Sequence, residues 1–173
     1  FLDMAWNPTS FTVDNLLDHT YEFCKEFFGE EEAQEAARIL NLCCKYNGRI
    51  SAEMLDARQY YTLETGEFEQ VCDDYARLEA EALRQYLRLK PEYRDAYQQI
   101  ILFPVQAMGN IYDMYYSQAM NQKLARNNDP AANYWAERCE RDFKRDAELC
   151  AYYNKEMAGG KWNGMMIQKH MGY

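Results

Sequence analysis

Residues 91–127 read PEYRDAYQQIILFPVQAMGNIYDMYYSQAMNQKLARN, and we interpret the rest of the chain around them. Apolar side chains recur there at steps of three and four residues, which is the period of an α-helix. Pro91 lies in the first turn, where its missing N–H costs little. Pro104 lies in the middle and cannot donate to the preceding turn, so it predicts a bend. Because residues 100–105 carry almost no polar side chain, this helix is expected to be buried at the centre of a bundle.

Four further segments show the same period and are bounded by helix-ending residues. Gly29 and Asn47-Gly48 end the first two, Asp129 is placed to cap the last, and Gly159-Gly160 ends it. In the last segment the apolar stripe includes Phe143, and the acids are expected on outer faces. The sequence therefore predicts an all-α bundle of four to five helices with a Pro-kinked central helix and an irregular C-terminal tail. The predicted helices outside the central one are residues 13–28, 30–47, 67–89 and 130–158.

The first residues, FLDMA, differ from the rest because they precede Trp6-Asn7-Pro8. Proline disfavours helix in the residue before it, so residues 1–5 are interpreted as a short strand followed by a loop. A lone strand is not stable, and it would have to join a sheet outside this chain. An unstructured end is the alternative. The chain also starts without methionine, so we expect a segment of a longer protein, and the missing targeting signal says nothing about compartment.

Composition limits the class of partner. The chain has 173 residues, of which 48% are hydrophobic and 27% charged, enough for one domain with a core. Its formal net charge of −9 repels nucleic acid and anionic membranes, so neither is an expected partner. No apolar run approaches the ~20 residues that a membrane-spanning helix requires.

No sequence motif indicates a cofactor, a metal or a complete catalytic site. HExxH, GxGxxG, Walker and GxSxG patterns are absent. Neither His19 nor His170 follows a glutamate by three residues, which argues against a di-iron centre. The cysteines show no CxxC spacing, so we expect small buried side chains and neither disulfides nor metal ligands. They are Cys24, Cys43, Cys44, Cys72, Cys139 and Cys150.

Four stretches taken together resemble glycoside hydrolase family 115, and the likeness covers essentially the whole chain. They are FLDMAWNP at the start, YNGR at 46–49, PEYRDAYQQIILFPVQAMGNIY at 91–112 and GGKWNGMMIQKHMGY at 159–173. Members of that family are xylan α-glucuronidases, which remove glucuronic acid or its 4-O-methyl ether from xylose units. The resemblance implies a helical domain between a catalytic (β/α)8 barrel and a β-sandwich. It implies that residues 1–11 end the barrel or link to it, that 12–158 form the bundle, and that 159–173 lead to the next domain.

The resemblance also implies where function lies. The acid and base carboxylates are expected in barrel loops before Phe1, so no residue here inherits a catalytic role and the segment is expected to be inactive alone. It implies glucuronoxylan fragments as substrate of the intact enzyme, no obligatory cofactor, and a secreted or periplasmic location, and it allows a homodimer. The residues expected beside the substrate are Trp6, Asn7, Arg49, Trp162, Asn163 and His170.

Each of these expectations has an alternative. The tryptophans are alternatively interpreted as packing residues at domain junctions, and Arg49 either binds a uronate carboxylate or caps the helix before it. Asp3 is interpreted as structural. The chain departs from many relatives at Gly164, where they have histidine, and at 167–170, where Ile-Gln-Lys-His replaces Asp-Gln-Thr-His, so any sugar contacts of this loop are altered. The whole bundle is alternatively an interaction or dimerisation module without sugar chemistry.

Overall fold

A computed structural model describes residues 2–50, 52–56 and 63–168. These residues form helices and turns, and no strand occurs among them, so the predicted all-α class is confirmed. Short 3-10 turns lie at Pro8–Ser10, Ala52–Met54 and Met157–Gly160. The helices are α1 (Leu2–Trp6), α2 (Leu16–Phe28), α3 (Glu30–Asn47), α4 (Glu67–Arg88), α5 (Pro91–Tyr97), α6 (Phe103–Arg126) and α7 (Ala132–Lys155).

The central helix is continuous from α5 into α6 through one π-helical turn, Gln98–Leu102. In that turn the Phe103 N–H donates to the Gln98 carbonyl, five residues back. The widened turn sits directly before Pro104, which has no N–H to offer. Ile101 and Val105 are fully buried. The predicted bend is therefore confirmed. The predicted burial is confirmed for Ile101, Leu102, Phe103 and Val105, whereas Ile100 and Pro104 are half-buried.

The bundle packs around this helix. The most extensive contact joins α6 to α7, and the α2–α3 and α4–α6 contacts come next. One apolar cluster lies between α2, α3, α4 and the π turn, and includes Phe28, Ile39, Leu78 and Ile101. A second lies between α4 and α6. With α5 and α6 counted as one, the residues described contain five long helices, as predicted.

A buried amide connects three of these helices. The Gln85 side chain on α4 is fully buried, and its Nε2 donates to the Glu32 carbonyl of α3 at 2.9 Å. Its Oε1 accepts the Tyr97 hydroxyl of α5 at 2.9 Å. Both ends of the amide are thus satisfied, which is the condition for placing it in a core.

The predicted N-terminal strand is wrong over its described part, because Leu2–Trp6 forms the short helix α1. The Asn7 N–H closes the last turn on the Asp3 carbonyl at 2.9 Å. With no neighbouring strand in the structure described here, helical bonds satisfy the backbone locally. Asp3 instead contacts α2, where its Oδ2 lies 2.7 Å from His19 Nε2.

Two helix predictions need correction at the level of single residues. The first long helix begins at Leu16 instead of residue 13, and Val13 is 89% exposed. The turn before it is closed by Asn15, whose Oδ1 accepts the Thr12 N–H at 2.8 Å. The predicted apolar stripe of the last helix fails at one position: Phe143 is 59% exposed and the adjacent Asp142 is buried, while Tyr153 and Met157 are buried as predicted. The expectation that all acids lie on outer faces is therefore wrong at Asp142.

All six cysteines lie in the residues described, and all are free thiols. Cys24, Cys43 and Cys72 are buried as predicted, but Cys44 is exposed because it points away from the α3 core face. Burial raises the pKa of Cys24 and of Cys43 to about 11, so these thiols stay protonated at neutral pH. Among the described helices, none is long and apolar enough to cross a bilayer.

Candidate functional site

A cleft of about 530 Å³ lies where the bend of the central helix meets the C-terminal tail and the end of α3. Its walls are mostly apolar, with amide side chains at the edges. That combination is typical of small-molecule and docking sites. The described residues that line it are Asn47, Ala52, Glu53, Gln99, Phe103, Pro104, Ala107, Met108, Ile111, Tyr153, Met165, Met166 and Gln168.

The bend forms one wall of the cleft. Gln99 lies in the π turn, and its Nε2 donates to the Tyr153 hydroxyl of α7 at 3.2 Å. Phe103 follows one turn later and packs on the Tyr153 ring with the centroids 4.6 Å apart. Because the helix widens here, a polar side chain can lie within an otherwise apolar segment and still find a partner.

The tail forms the opposite wall, and Asn154 of α7 fixes it. Asn154 Oδ1 accepts the backbone N–H groups of Gly164 and Met166, both at 3.0 Å. Its Nδ2 donates to the Met166 carbonyl at 2.7 Å and to the Cys150 carbonyl at 2.9 Å. One amide therefore satisfies three backbone groups of a segment that has no helix or strand of its own. Within the described tail, this anchoring places Met165 and Met166 at the cleft.

The end of α3 forms the third side. Asn47 Oδ1 accepts the Tyr75 hydroxyl of α4 at 2.8 Å, which fixes the orientation of this amide at the cleft. Tyr75 also stacks on Tyr112 of α6, with the ring centroids 4.8 Å apart. The position of Asn47 thus depends on the packing of three helices.

Trp6 and Asn7 lie outside the cleft. Trp6 is 92% exposed at the end of α1. Asn7 Oδ1 accepts the Thr9 hydroxyl at 2.9 Å within the following turn. The nearest described link from α1 to the bundle is the contact between Asp3 and His19. The structure therefore does not bring the first predicted pair together with the others.

Arg49 is occupied by protein groups. Its Nη2 donates to Asp74 Oδ2 on α4 at 3.0 Å, and its guanidinium carbon lies 4.5 Å from the centre of the Tyr46 ring. Asp74 also accepts Arg77 and Gln70, and these bonds hold the pKa of its carboxyl below the usual range despite partial burial. The side chain of Arg49 joins α3 to α4 and neither caps α3 nor opens toward the cleft.

The second predicted pair lies beside the cleft but not in its lining. Trp162 is half-buried against the cluster of Phe103, Tyr153 and Met157, and the Lys161 ammonium lies 4.8 Å from its ring centre. Asn163 is exposed. His170 lies outside the described residues. The packing alternative for Trp162 is the one that the structure favours.

Sequence reasoning missed the polar residues that do line the cleft, above all Gln99, Glu53 and Asn47. One signal was available: Gln98-Gln99 interrupts the apolar run of a helix predicted to be buried on all sides. Nothing in the sequence placed the tail methionines opposite that interruption, because the contact joins segments about 65 positions apart in the chain.

The chemistry that this cleft can perform is limited. Hydrolysis of a glycosidic bond uses two carboxyl groups that flank it, and Glu53 is the single carboxylate among the described lining residues. No group of three or more histidine, cysteine, aspartate or glutamate side chains in the described residues could hold a metal ion. The described lining therefore offers apolar surface and amide groups for binding, with Glu53 as its one carboxylate.

Comparison with known protein families found no matching family, and comparison with curated proteins found no match.

Proposed function

We propose that this chain is the helical domain of a xylan α-glucuronidase of glycoside hydrolase family 115. One observation carries the proposal: three of the four stretches that resemble this family meet at one cleft. They are distant in sequence, and they contribute Asn47, the bend of the central helix and the anchored tail. Because these stretches are distant in sequence, their meeting at one cleft supports a shared role.

In this proposal the domain supports catalysis and does not perform it. The acid and base carboxylates belong to the barrel, consistent with a cleft that has one described carboxylate, Glu53. The helical domain offers a rigid apolar wall with amide edges, which suits the C–H faces and hydroxyl groups of a sugar or the surface of the neighbouring barrel. The substrate of the intact enzyme would be glucuronoxylan fragments, and the enzyme would be secreted or periplasmic. The proposed domain limits are those predicted from the sequence.

The first experiment examines the gene that encodes this chain. The proposal expects a (β/α)8 barrel encoded before residue 1 and a strand-rich domain after residue 173. It also expects the intact polypeptide to release glucuronic acid or its 4-O-methyl ether from decorated xylo-oligosaccharides, measured by chromatography of the products. An encoded protein without a barrel, or an intact enzyme that releases no uronic acid, would refute the assignment and favour a module for interaction alone.

The second experiment tests the cleft in the intact enzyme. Met165 is an exposed lip of the cleft, so Met165→Glu should leave the fold intact while placing a charge on the apolar wall. We expect kcat/KM to fall more than tenfold, which is about 1.4 kcal/mol. Leu87→Glu is the matched control, because Leu87 is a similarly exposed apolar residue that does not line the cleft. Equal activity of the two variants would show that the cleft does not contribute to the activity of the intact enzyme, and the family assignment would be unaffected.

A further inference from the structure

Asp142 is a carboxylate buried between two helices. It lies in the middle of α7 and is 5% exposed, and its Oδ2 has no hydrogen-bond partner among the described residues. A charged oxygen in this position has lost water without gaining a donor, which is unfavourable. A neutral carboxylic acid avoids most of that cost. The burial of Asp142 therefore favours its protonated form.

The neighbouring side chain on α6 binds the main chain of Asp142. Asn110 is fully buried, and its Nδ2 donates to the main-chain carbonyl of Asp142 at 2.8 Å. This bond fixes the orientation of the amide, since the opposite orientation would place two carbonyl oxygens together. The Oδ1 of Asn110 has no donor in the described structure. An acceptor that lacks a donor thus lies on the residue that contacts Asp142.

Two of the three arginines that act on Asp142 are held by other carboxylates. Arg138 donates to Asp113 of α6, with its Nε at 3.2 Å from Asp113 Oδ2, and Arg145 donates to Glu79 of α4. Burial first, and then the charge of Asp113, raise the pKa of Asp142 to about 6, although nearby arginines lower it in part. Six titratable or charged groups interact electrostatically with Asp142. They are Asp113 on α6, Cys72 on α4, and Arg138, Cys139, Arg141 and Arg145 on α7.

We propose that Asp142 is a buried proton-binding site between α6 and α7, which takes a proton from water in mildly acidic solution. When the solution becomes neutral or alkaline the proton returns to water and leaves an unpaired charge between the helices. Contact between α6 and α7 is therefore tightest in acid and weakens as the pH rises. Because α7 also carries Tyr153 and Asn154, this change acts on the helix that forms and anchors the cleft.

The direction of the pH dependence follows from the two states of the chain. In the unfolded chain an aspartate binds its proton only below about pH 4. Between that value and about 6 the folded protein holds the extra proton, so this residue lowers the free energy of unfolding as the pH rises through the range. Carboxylates with lowered pKa, such as Asp74 and Glu32, act in the opposite direction at lower pH. The informative quantity is therefore the difference between matched variants.

Thermal unfolding of Asp142→Asn from pH 4 to pH 8 tests the site. The amide cannot be charged, so we expect Tm at pH 8 to exceed that of the unaltered protein by about 4 °C or more, with the difference vanishing near pH 4. Glu137→Gln is the matched control, because Glu137 is an exposed carboxylate on the same helix. It should follow the unaltered protein at every pH. Parallel profiles for Asp142→Asn and the unaltered protein would overturn the proposal.

A direct titration decides the question without any substitution. The side-chain carboxyl carbon of Asp142, observed by NMR in the unaltered protein, should titrate near pH 6. An Asp142 carboxyl that titrates below pH 5 would overturn the proposal, even if the asparagine variant failed to fold.

Discussion

Asn154 illustrates how one side chain can determine the shape of an irregular segment. Its amide oxygen and nitrogen bond to the backbone of Gly164 and Met166, in a tail that is neither helix nor strand. A loop whose backbone polar groups are paired in this way is as well defined as a regular element. At the residue scale, the cleft therefore depends on a polar contact and not only on apolar packing.

We expect Asn154→Ala to release the tail while leaving the bundle folded. The substitution removes the partners of three backbone groups, so the free energy of unfolding should fall by about 1–3 kcal/mol. Amide hydrogen exchange at Gly164 and Met166 should accelerate more than tenfold. Asn163→Ala is the control, because Asn163 is an exposed asparagine in the same tail and should stay within ~0.5 kcal/mol of the unaltered protein. Unchanged protection at Gly164 and Met166 in Asn154→Ala would contradict the anchoring role.

At the scale of elements, the turn between α2 and α3 sets the antiparallel packing of the first helix pair. Gly29 has φ 80° and ψ 162°, a backbone conformation that is essentially restricted to glycine. It closes α2 through a bond from its N–H to the Lys25 carbonyl at 3.0 Å, and α3 begins at the next residue. An added Cβ there would lie 3.3 Å from the Tyr93 hydroxyl of α5. The backbone conformation requires glycine, and an added Cβ would also push the Tyr93 hydroxyl away by a few tenths of an ångström.

We expect Gly29→Ala to destabilise the protein by about 2–4 kcal/mol, since it combines backbone strain with displacement of Tyr93. Gly66→Ala offers a matched control at the start of α4. Gly66 also has a positive φ of 73°, but its ψ of 5° is the left-handed region that other residues tolerate, and nothing lies near an added Cβ. That variant should lose only about 1 kcal/mol. Urea unfolding measures both losses, and equal losses would contradict the additional cost expected at Gly29.

On the scale of the whole molecule, the helical bundle exposes several apolar side chains at its N-terminal segment. Leu2, Trp6 and Val13 all lie within the first turns of the chain and are exposed. In the proposed enzyme these residues face the barrel. The described residues contain no flanking pair of carboxylates at the cleft, so the helical bundle and the catalytic groups belong to different parts of the proposed enzyme.

The isolated chain should therefore release no glucuronic acid from decorated xylo-oligosaccharides. The reason is that the cleft offers no second carboxyl group to Glu53 among its described residues, and both groups are needed for protonation of the leaving oxygen and attack at the sugar. Chromatography of the products after long incubation is the measurement, with the intact enzyme as positive control. Turnover by the isolated chain would mean that the catalytic residues lie within it.

Several features of the fold could be predicted from the sequence because they depend on local chemistry. Helix period, the stops at Gly29 and Gly48 and the bend at Pro104 all follow from side-chain spacing and backbone geometry, which act over a few residues. The burial of Ile101 and Val105 could also be predicted, because a helix without a polar face has no side that favours water.

The N-terminal strand was predicted wrongly because Pro8 constrains the residue before it but says little about residues 2–6. The burial of Asp142 in place of the predicted Phe143 shows a second limit of prediction from sequence. Both positions continue the α7 stripe at three- or four-residue steps from Cys139, and hydrophobicity favoured Phe143. The position of α6 relative to α7 buries Asp142 and leaves Phe143 exposed.

The amino-acid sequence by itself thus determined the approximate positions of the five long helices, which of them is central and where it bends. Tertiary structure alone decided that Gln99, Asn47 and Met165 share a cleft, that Arg49 is bound to Asp74 and that Asp142 is buried. The physical reason is the difference between interactions that are local in sequence and those that are distant in sequence. Helix propensity and periodicity act between neighbours in the chain, whereas the cleft and the buried charge arise from contacts between helices whose relative positions no local pattern specifies.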